Sequence, residues 1–154
     1  MIYQVRNQKN NIMAEQIFNQ TFEGYWIEPN KGGISDKSGV YCVYECTHNV
    51  QEKTVAIHKL IYIGESENVN QRIANHEKQK EWKKYVRQGN ELCYSFSAVD
   101  SYSRVRVEAA FIFRHQPPVN IEYKDGFPFD KTIVKSGGKT KLLKNYFVVN
   151  RTII

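Results

Sequence analysis

Cysteine is scarce in this chain, and its placement rules out several chemistries. Cys42, Cys46 and Cys93 are odd in number and contain no Cys-x-x-Cys pair, which excludes a cysteine-paired zinc motif, a dithiol redox motif and a disulfide-built scaffold. Cys42 and Cys46 lie four apart on a segment that reads as a strand, roughly 13 Å from each other by strand rise. That is too far for a disulfide, and both are expected as small buried hydrophobes. His48, His58 and His115 fall at no metal-ligand spacing, so a zinc site is not expected. No apolar run approaches the roughly 20 residues of a membrane helix. The start, Met1-Ile2-Tyr3-Gln4-Val5-Arg6, lacks the apolar stretch of a secretory signal, so a cytoplasmic protein is expected. No internal repeat is visible.

What is present suits one folded unit. At 154 residues, 41% of them hydrophobic and 13% aromatic, the chain is too apolar for disorder and too short for two ordinary domains. A single domain over residues 1–154 is expected, with a core at 39–120, an N-terminal arm at 1–38 and a basic extension at 121–154. The net charge of +6 is unevenly spread, and after Asp130 the chain has six cations and no acid: Lys131, Lys135, Lys139, Lys141, Lys144 and Arg151. They alternate with Leu142, Leu143, Tyr146 and Phe147, a pattern that suits a polyanion surface. If all six met phosphates, log K for nucleic acid would fall with log salt at a slope of roughly −5.

Two apolar, aromatic segments, Gly39 to Cys46 and Ile57 to Ile63, read as strands, with the polar stretch Thr47 to Ala56 as a loop or long hairpin tip between them. Alternation places Tyr41, Val43 and Glu45 on one face and Val40, Cys42, Tyr44 and Cys46 on the other. In the second strand, Leu60 and Tyr62 would share a face opposite Ile61 and Ile63. If both strands belong to one antiparallel sheet, Tyr41 and Tyr62 project to the same side. Glu65-Ser66-Glu67 resembles a helix start with a capping serine. The helix that follows would turn Val69, Ile73 and Ala74 inward and carry Arg72 and His76 on one side, four apart. Trp82, Tyr85 and Val86 continue the apolar pattern to Gly89-Asn90. A third strand follows, Leu92, Tyr94, Phe96 and Ala98 alternating with Cys93, Ser95, Ser97 and Val99. A second helix is expected from Ser103 to about His115, with Val105, Ala109 and Ile112 buried and Glu108 at the edge of that stripe. Pro117-Pro118 ends it and sends Val119-Asn120 onward in extended form. One short helix is expected near Ile12 to Phe18, and Gly137-Gly138 divides two short apolar segments in the tail.

Gly39-Val40-Tyr41, Tyr62-Ile63-Gly64, Arg72, His76, Glu108 and Asn120 follow in an order that resembles the GIY-YIG nuclease family across residues 39 to 120. The Tyr-Ile-Gly triplet matches without change, and the interval from Tyr41 to Tyr62, longer than in compact members, is taken up by the polar residues 47 to 56. The resemblance implies an α+β fold with a small, mainly antiparallel three-stranded sheet flanked by helices, carrying N- and C-terminal embellishments. It also implies an endonuclease that hydrolyses phosphodiesters in double-stranded DNA with Mg²⁺, for which Mn²⁺ would substitute. Length and the missing cysteine pairs favour a compact stand-alone enzyme of restriction type, acting as a homo-oligomer, a dimer first, because one such site cuts one strand. A phage-type endonuclease of low specificity and a non-catalytic nucleic-acid-binding module on the same scaffold are the alternatives.

The chemistry of these residue types agrees with the roles so implied. Arg72 can fork onto phosphate oxygens and stays charged at any working pH. Glu108 offers a hard oxygen ligand to a divalent cation. A free phenol is only about 0.1% ionised at pH 7, so a tyrosine base needs a cation beside it. The resemblance points to Tyr41 as the base, with Tyr62 holding a water or a phosphate oxygen. His76, with a more convenient pKa, stands as a rival base or as a hydrogen-bond partner to Tyr41. Asn120 would fix the segment after the prolines or orient Glu108.

Overall fold

The computed structural model describes residues 14–153, and a six-stranded mixed sheet organises them. The strands are β1 (Gln16–Ile27), β2 (Gly39–Asn49), β3 (Thr54–Ser66), β4 (Glu91–Ala98), β5 (Thr132–Gly138) and β6 (Tyr146–Val149). In space they run β3-β2-β4-β1-β5-β6. All neighbours are antiparallel except β1 and β5, which run parallel. The three strands expected from the sequence are thus the β3-β2-β4 half of a larger sheet, to which the arm and the tail add β1, β5 and β6. The short helix expected near Ile12 to Phe18 is replaced from Gln16 onward by β1; Ile12 and Met13 lie outside the described residues. Ile17, Phe18, Thr21, Phe22, Tyr25, Trp26 and Ile27 are β-branched or aromatic, a composition that fits a pleated surface better than a helix.

Helices α1 (Val69–Ala74), α2 (Gln79–Lys83) and α3 (Arg104–His115), with a 3-10 turn at Glu28–Gly33, cover the sheet. Each face buries its own core. Val40, Cys42, Tyr44, Cys46, Ile63 and Cys93 pack against Val107, Ala110 and Phe111 of α3 on one side. Tyr41, Val43, Ile61, Tyr94 and Phe96 pack against Val69, Ile73 and Trp82 on the other. All three cysteines are free and buried. Glu28 accepts from the Tyr94 hydroxyl and from Gln79 Nε2 (3.1 Å), so the 3-10 turn ties the start of α2 to the sheet. Among the described residues, no helix is long and apolar enough to cross a membrane.

Local chemistry shifts several details from expectation. Thr47 to Ala56 is mostly strand rather than loop: β2 and β3 stay paired out to Asn49↔Thr54, so the extra residues lengthen a hairpin. Val43 pairs with Tyr62 and Tyr44 with Leu60, leaving Ile61 as an extra residue in β3. That bulge separates Leu60 from Tyr62: Leu60 joins the α3 side, while Tyr62 and Ile61 both face the opposite core. The capping residue of α1 is Asn68, whose side chain accepts from Gln71 N at 3.0 Å, since β3 continues through Ser66. Helix α1 ends at Ala74, which is exposed, so His76 follows the helix rather than riding on it. On α3 the buried stripe is rotated: Val105 is 40% exposed and Arg106 is buried in its place. Arg106 satisfies its guanidinium on Thr132 Oγ1 (3.0 Å) and on the carbonyls of Ala14, Asp130 and Lys131 (2.8, 3.1 and 3.2 Å). A hydropathy pattern cannot anticipate a cation buried by such a set of acceptors.

Candidate active site

Tyr41 and Tyr62 stand on adjacent strands with ring centres 6.3 Å apart, on one face because Tyr41 pairs with Gly64 and Val43 with Tyr62. Tyr41 is almost fully buried and pairs in register with Gly64. A Cβ at Gly64 would come within 2.3 Å of both Cζ and the hydroxyl of Tyr41, so the glycine that closes the Tyr-Ile-Gly triplet leaves the space the first phenol occupies. Gly39 is equally constrained, because a Cβ there would meet Ser97 O at 2.3 Å.

His76 completes a triangle with the phenols, its ring 6.2 Å from that of Tyr41 and 5.4 Å from that of Tyr62. Trp82 of α2 lies beneath, 4.4 Å from the imidazole centre and 5.4 Å from Tyr62. His76 Nδ1 accepts from Lys78 N–H at 3.0 Å, which leaves the proton of the neutral ring on Nε2. That Nε2 is buried and has no hydrogen-bond partner among the described residues. Burial, aided by the charge of Arg72, pushes the His76 pKa down to about 4. The ring is therefore neutral at physiological pH and presents a donor.

Arg72 lies close enough to both phenols to favour their ionised forms. Burial nevertheless wins, holding Tyr41 well above the ordinary phenol range and Tyr62 up at about 12. The Arg72 guanidinium makes a two-pronged pair with Glu77, NH1 to Oε2 at 2.6 Å and NH2 to Oε1 at 2.7 Å. Arg72 keeps the Glu77 carboxyl down at about 2.

Glu108, on α3, reaches a cavity of about 280 Å³ that it shares with Tyr62, Lys78, Asn120 and Glu122. Burial first, then the nearby Glu65 and Glu122, raise its carboxyl to about 8. Arg104 offsets this only in part, being engaged by Glu65 and by Ser38 Oγ (2.8 Å). Among the described residues, no group of three His, Cys, Asp or Glu side chains is placed to cage a metal. One carboxylate beside an open cavity fits Mg²⁺ or Mn²⁺, which complete their coordination with waters and phosphate oxygens. A carboxyl pushed up by burial and by acidic neighbours is also one that a cation would bring back to the ionised state.

Asn120 does not touch Glu108 through any hydrogen bond. Its Oδ1 accepts from Ile63 N at 2.9 Å and its Nδ2 donates to Ile63 O at 2.8 Å. Val119 N also donates to Ile61 O (3.2 Å), so the segment after the prolines is bound to the outer edge of β3 beside the Tyr-Ile-Gly triplet.

The six tail cations sit apart from this cluster. Lys135 projects from β5, four places from β3 in strand order. Lys131 pairs with Glu15 at 3.5 Å and Arg151 with Asp130 at 3.0 Å. Lys139 lines a cleft of about 580 Å³ with Tyr25, Asn30, His48 and Lys53, built by the tip of the β2–β3 hairpin. Backbone amides of Lys141 and Lys144 are held by the Tyr25 hydroxyl (3.0 Å) and His115 Nε2 (2.9 Å).

Three residues stand at the site with no place in the motif: Glu77, Lys78 and Glu122. Glu77 follows the motif histidine directly, an acid five positions after a motif arginine, which is the only trace of it in the sequence. A family model described as GIY-YIG catalytic domain matches residues 39–122. No curated protein and no solved structure gives a match.

Proposed function

The chain belongs to the GIY-YIG catalytic-domain family, which makes it a nuclease by descent, and from that premise we propose a divalent-metal-dependent endonuclease acting on double-stranded DNA. The observation that carries this reading is a cluster of two phenols and an imidazole within 6.3 Å ring to ring, set beside a cavity that Tyr62 and Glu108 line. A hard divalent cation held by Glu108, Mg²⁺ or Mn²⁺, would supply positive charge at the phosphate and beside the phenols.

The remaining chemistry falls to the chain's own side chains. Arg72 would grip two non-bridging oxygens of the scissile phosphate, the acceptor pair its fork fits. Tyr41, once its own proton has left to solvent, would take the proton of the attacking water on its phenolate oxygen as the new P–O bond forms; the bond to the 3′ oxygen breaks with its electron pair, and that oxygen is protonated from solvent. The tautomer of His76 makes it a hydrogen-bond donor through Nε2, suited to stabilising the ionised phenol of Tyr41 rather than to removing a proton. Tyr62 would hold the water or a phosphate oxygen. Asn120 would act by position, clamping Ile63 and so the strand that carries Tyr62 and Gly64.

A restriction-type enzyme working as a dimer is the form we favour, because cutting both strands takes two such sites. Lys135, Lys139, Lys141 and Lys144, which make no ion pair among the described residues, would bear on flanking phosphates. Lys131 and Arg151 would first have to release their acids.

The test is cleavage of a supercoiled plasmid in Mg²⁺ or Mn²⁺ by the wild type and by Glu108→Ala. Nicked and linear products from the wild type alone support the proposal. No cutting by the wild type points to a nucleic-acid-binding module, and equal cutting by both rejects Glu108. A smear in place of discrete bands identifies an enzyme of low specificity.

A further inference from the structure

We infer that Glu77 is a built-in competitor of the DNA phosphate at Arg72, a carboxylate that occupies the phosphate fork until substrate displaces it. This rests on the reading of Arg72 as the phosphate clamp. Both prongs of the guanidinium are used, at 2.6 and 2.7 Å, one to each carboxylate oxygen. A carboxylate and a phosphodiester present the same planar pair of acceptors to an arginine, so the two cannot hold the same fork together.

The surroundings make the exchange feasible. The Glu77 side chain is 64% exposed and that of Arg72 35%, so the acid can swing into solvent without leaving a buried charge behind. No hydrogen bond from another described side chain holds Glu77 in place; its further neighbour is His76 Nδ1 at 3.8 Å. The position directly after His76 keeps the carboxylate within reach of Arg72 on the coil between α1 and α2. Because Arg72 holds the Glu77 carboxyl far down the pH scale, the competitor stays charged throughout the working range.

In the free protein the pair would lower the affinity for anions that offer too little to displace it. A long duplex contributes other contacts and pushes Glu77 aside.

The experiment measures binding of a fluorescent DNA duplex in EDTA by the wild type, Glu77→Gln, Glu81→Gln and Arg72→Ala. Glu81 serves as the charge control, because it too is an exposed acid paired with a neighbouring cation, Lys84 at 3.1 Å. Glu77→Gln is expected to bind about two- to fivefold more tightly than Glu81→Gln, the range an exposed ion pair supports. In steady-state cleavage it should lower KM, the direction expected when a competitor of the bound phosphate is removed. Equal affinities for the two glutamine variants would overturn the proposal, as would a Glu77→Gln protein that binds more weakly. Arg72→Ala tests the underlying reading separately: unchanged binding in that variant removes Arg72 as the clamp whatever Glu77 does.

Discussion

Replacing Glu108 by glutamine should make the protein more stable and, on our reading, inactive, with the gain in stability growing with pH. Folding raises the Glu108 carboxyl from its ordinary 4.5 to about 8. The native state therefore holds its proton more tightly than the unfolded chain, and stability is lost as pH rises from 4.5 towards 8. At about 1.4 kcal/mol per pH unit, the full cost of ionising the native protein at pH 9 is roughly 4–5 kcal/mol, and at pH 6 roughly 2 kcal/mol. The open side of the cavity screens the charge, and halving both figures gives about 2 and about 1 kcal/mol. Glutamine keeps the shape and never ionises, so Glu108→Gln should exceed the wild type by those amounts at pH 9 and pH 6 and by almost nothing at pH 4.5. Urea denaturation at the three pH values measures the gap. A gap that is absent at pH 9, or constant across the range, would refute the reasoning. Mg²⁺ at pH 8.5 should raise the Tm of the wild type and leave that of Glu108→Gln where it is.

His76→Ala should cut activity while leaving the shape of the pH–rate profile between pH 6 and 9 unchanged, because a group that titrates at about 4 sets no limb there; loss of an acidic limb near pH 6 would instead make the imidazole the base. Gly64→Ala forces the Tyr41 phenol aside, and a displacement on the order of 1 Å should cost about 100-fold in kcat; cleavage within a few-fold of wild type would show that the phenol does not act from this place. Asn120→Ala strips two hydrogen bonds from the backbone of Ile63 and should cost about 2–4 kcal/mol in urea denaturation; a loss below about 0.5 kcal/mol would mean that the edge of β3 is held by other contacts.

The candidate site is more legible in the sequence than the fold around it, for reasons that differ residue by residue. The glycines of the two triplets are legible because their function is steric: Gly64 must lack a Cβ where Tyr41 passes, and identity alone carries that message. Strand alternation puts Tyr41 and Tyr62 on one side, as they lie, but the same alternation groups Leu60 with Tyr62 and fails at the bulge. One extra residue, Ile61, inverts the pattern without any glycine or proline to mark it. The outer half of the sheet was hidden because its pairing is distant: nothing near Gln16 signals that Thr132 will lie beside it. Arg106 misled the helix stripe because its burial depends on carbonyls from two other segments of chain. The grip of Glu77 on Arg72 depends on α1 stopping at Ala74, a boundary set by a single turn of backbone.

The parallel pairing of β1 with β5 fixes an order in which the molecule can be assembled. Hairpin β2–β3 needs only a short turn to close and β4 joins it soon after, so the phenols and Gly64 can take their places early. Strand β1 is synthesised before any of these, yet its parallel partner is more than a hundred positions away. Closing so long a loop is entropically costly and slow. On the ribosome, the half of the sheet that carries the tyrosines would therefore be made and folded while β1 still lacked the strand that seals its outer side.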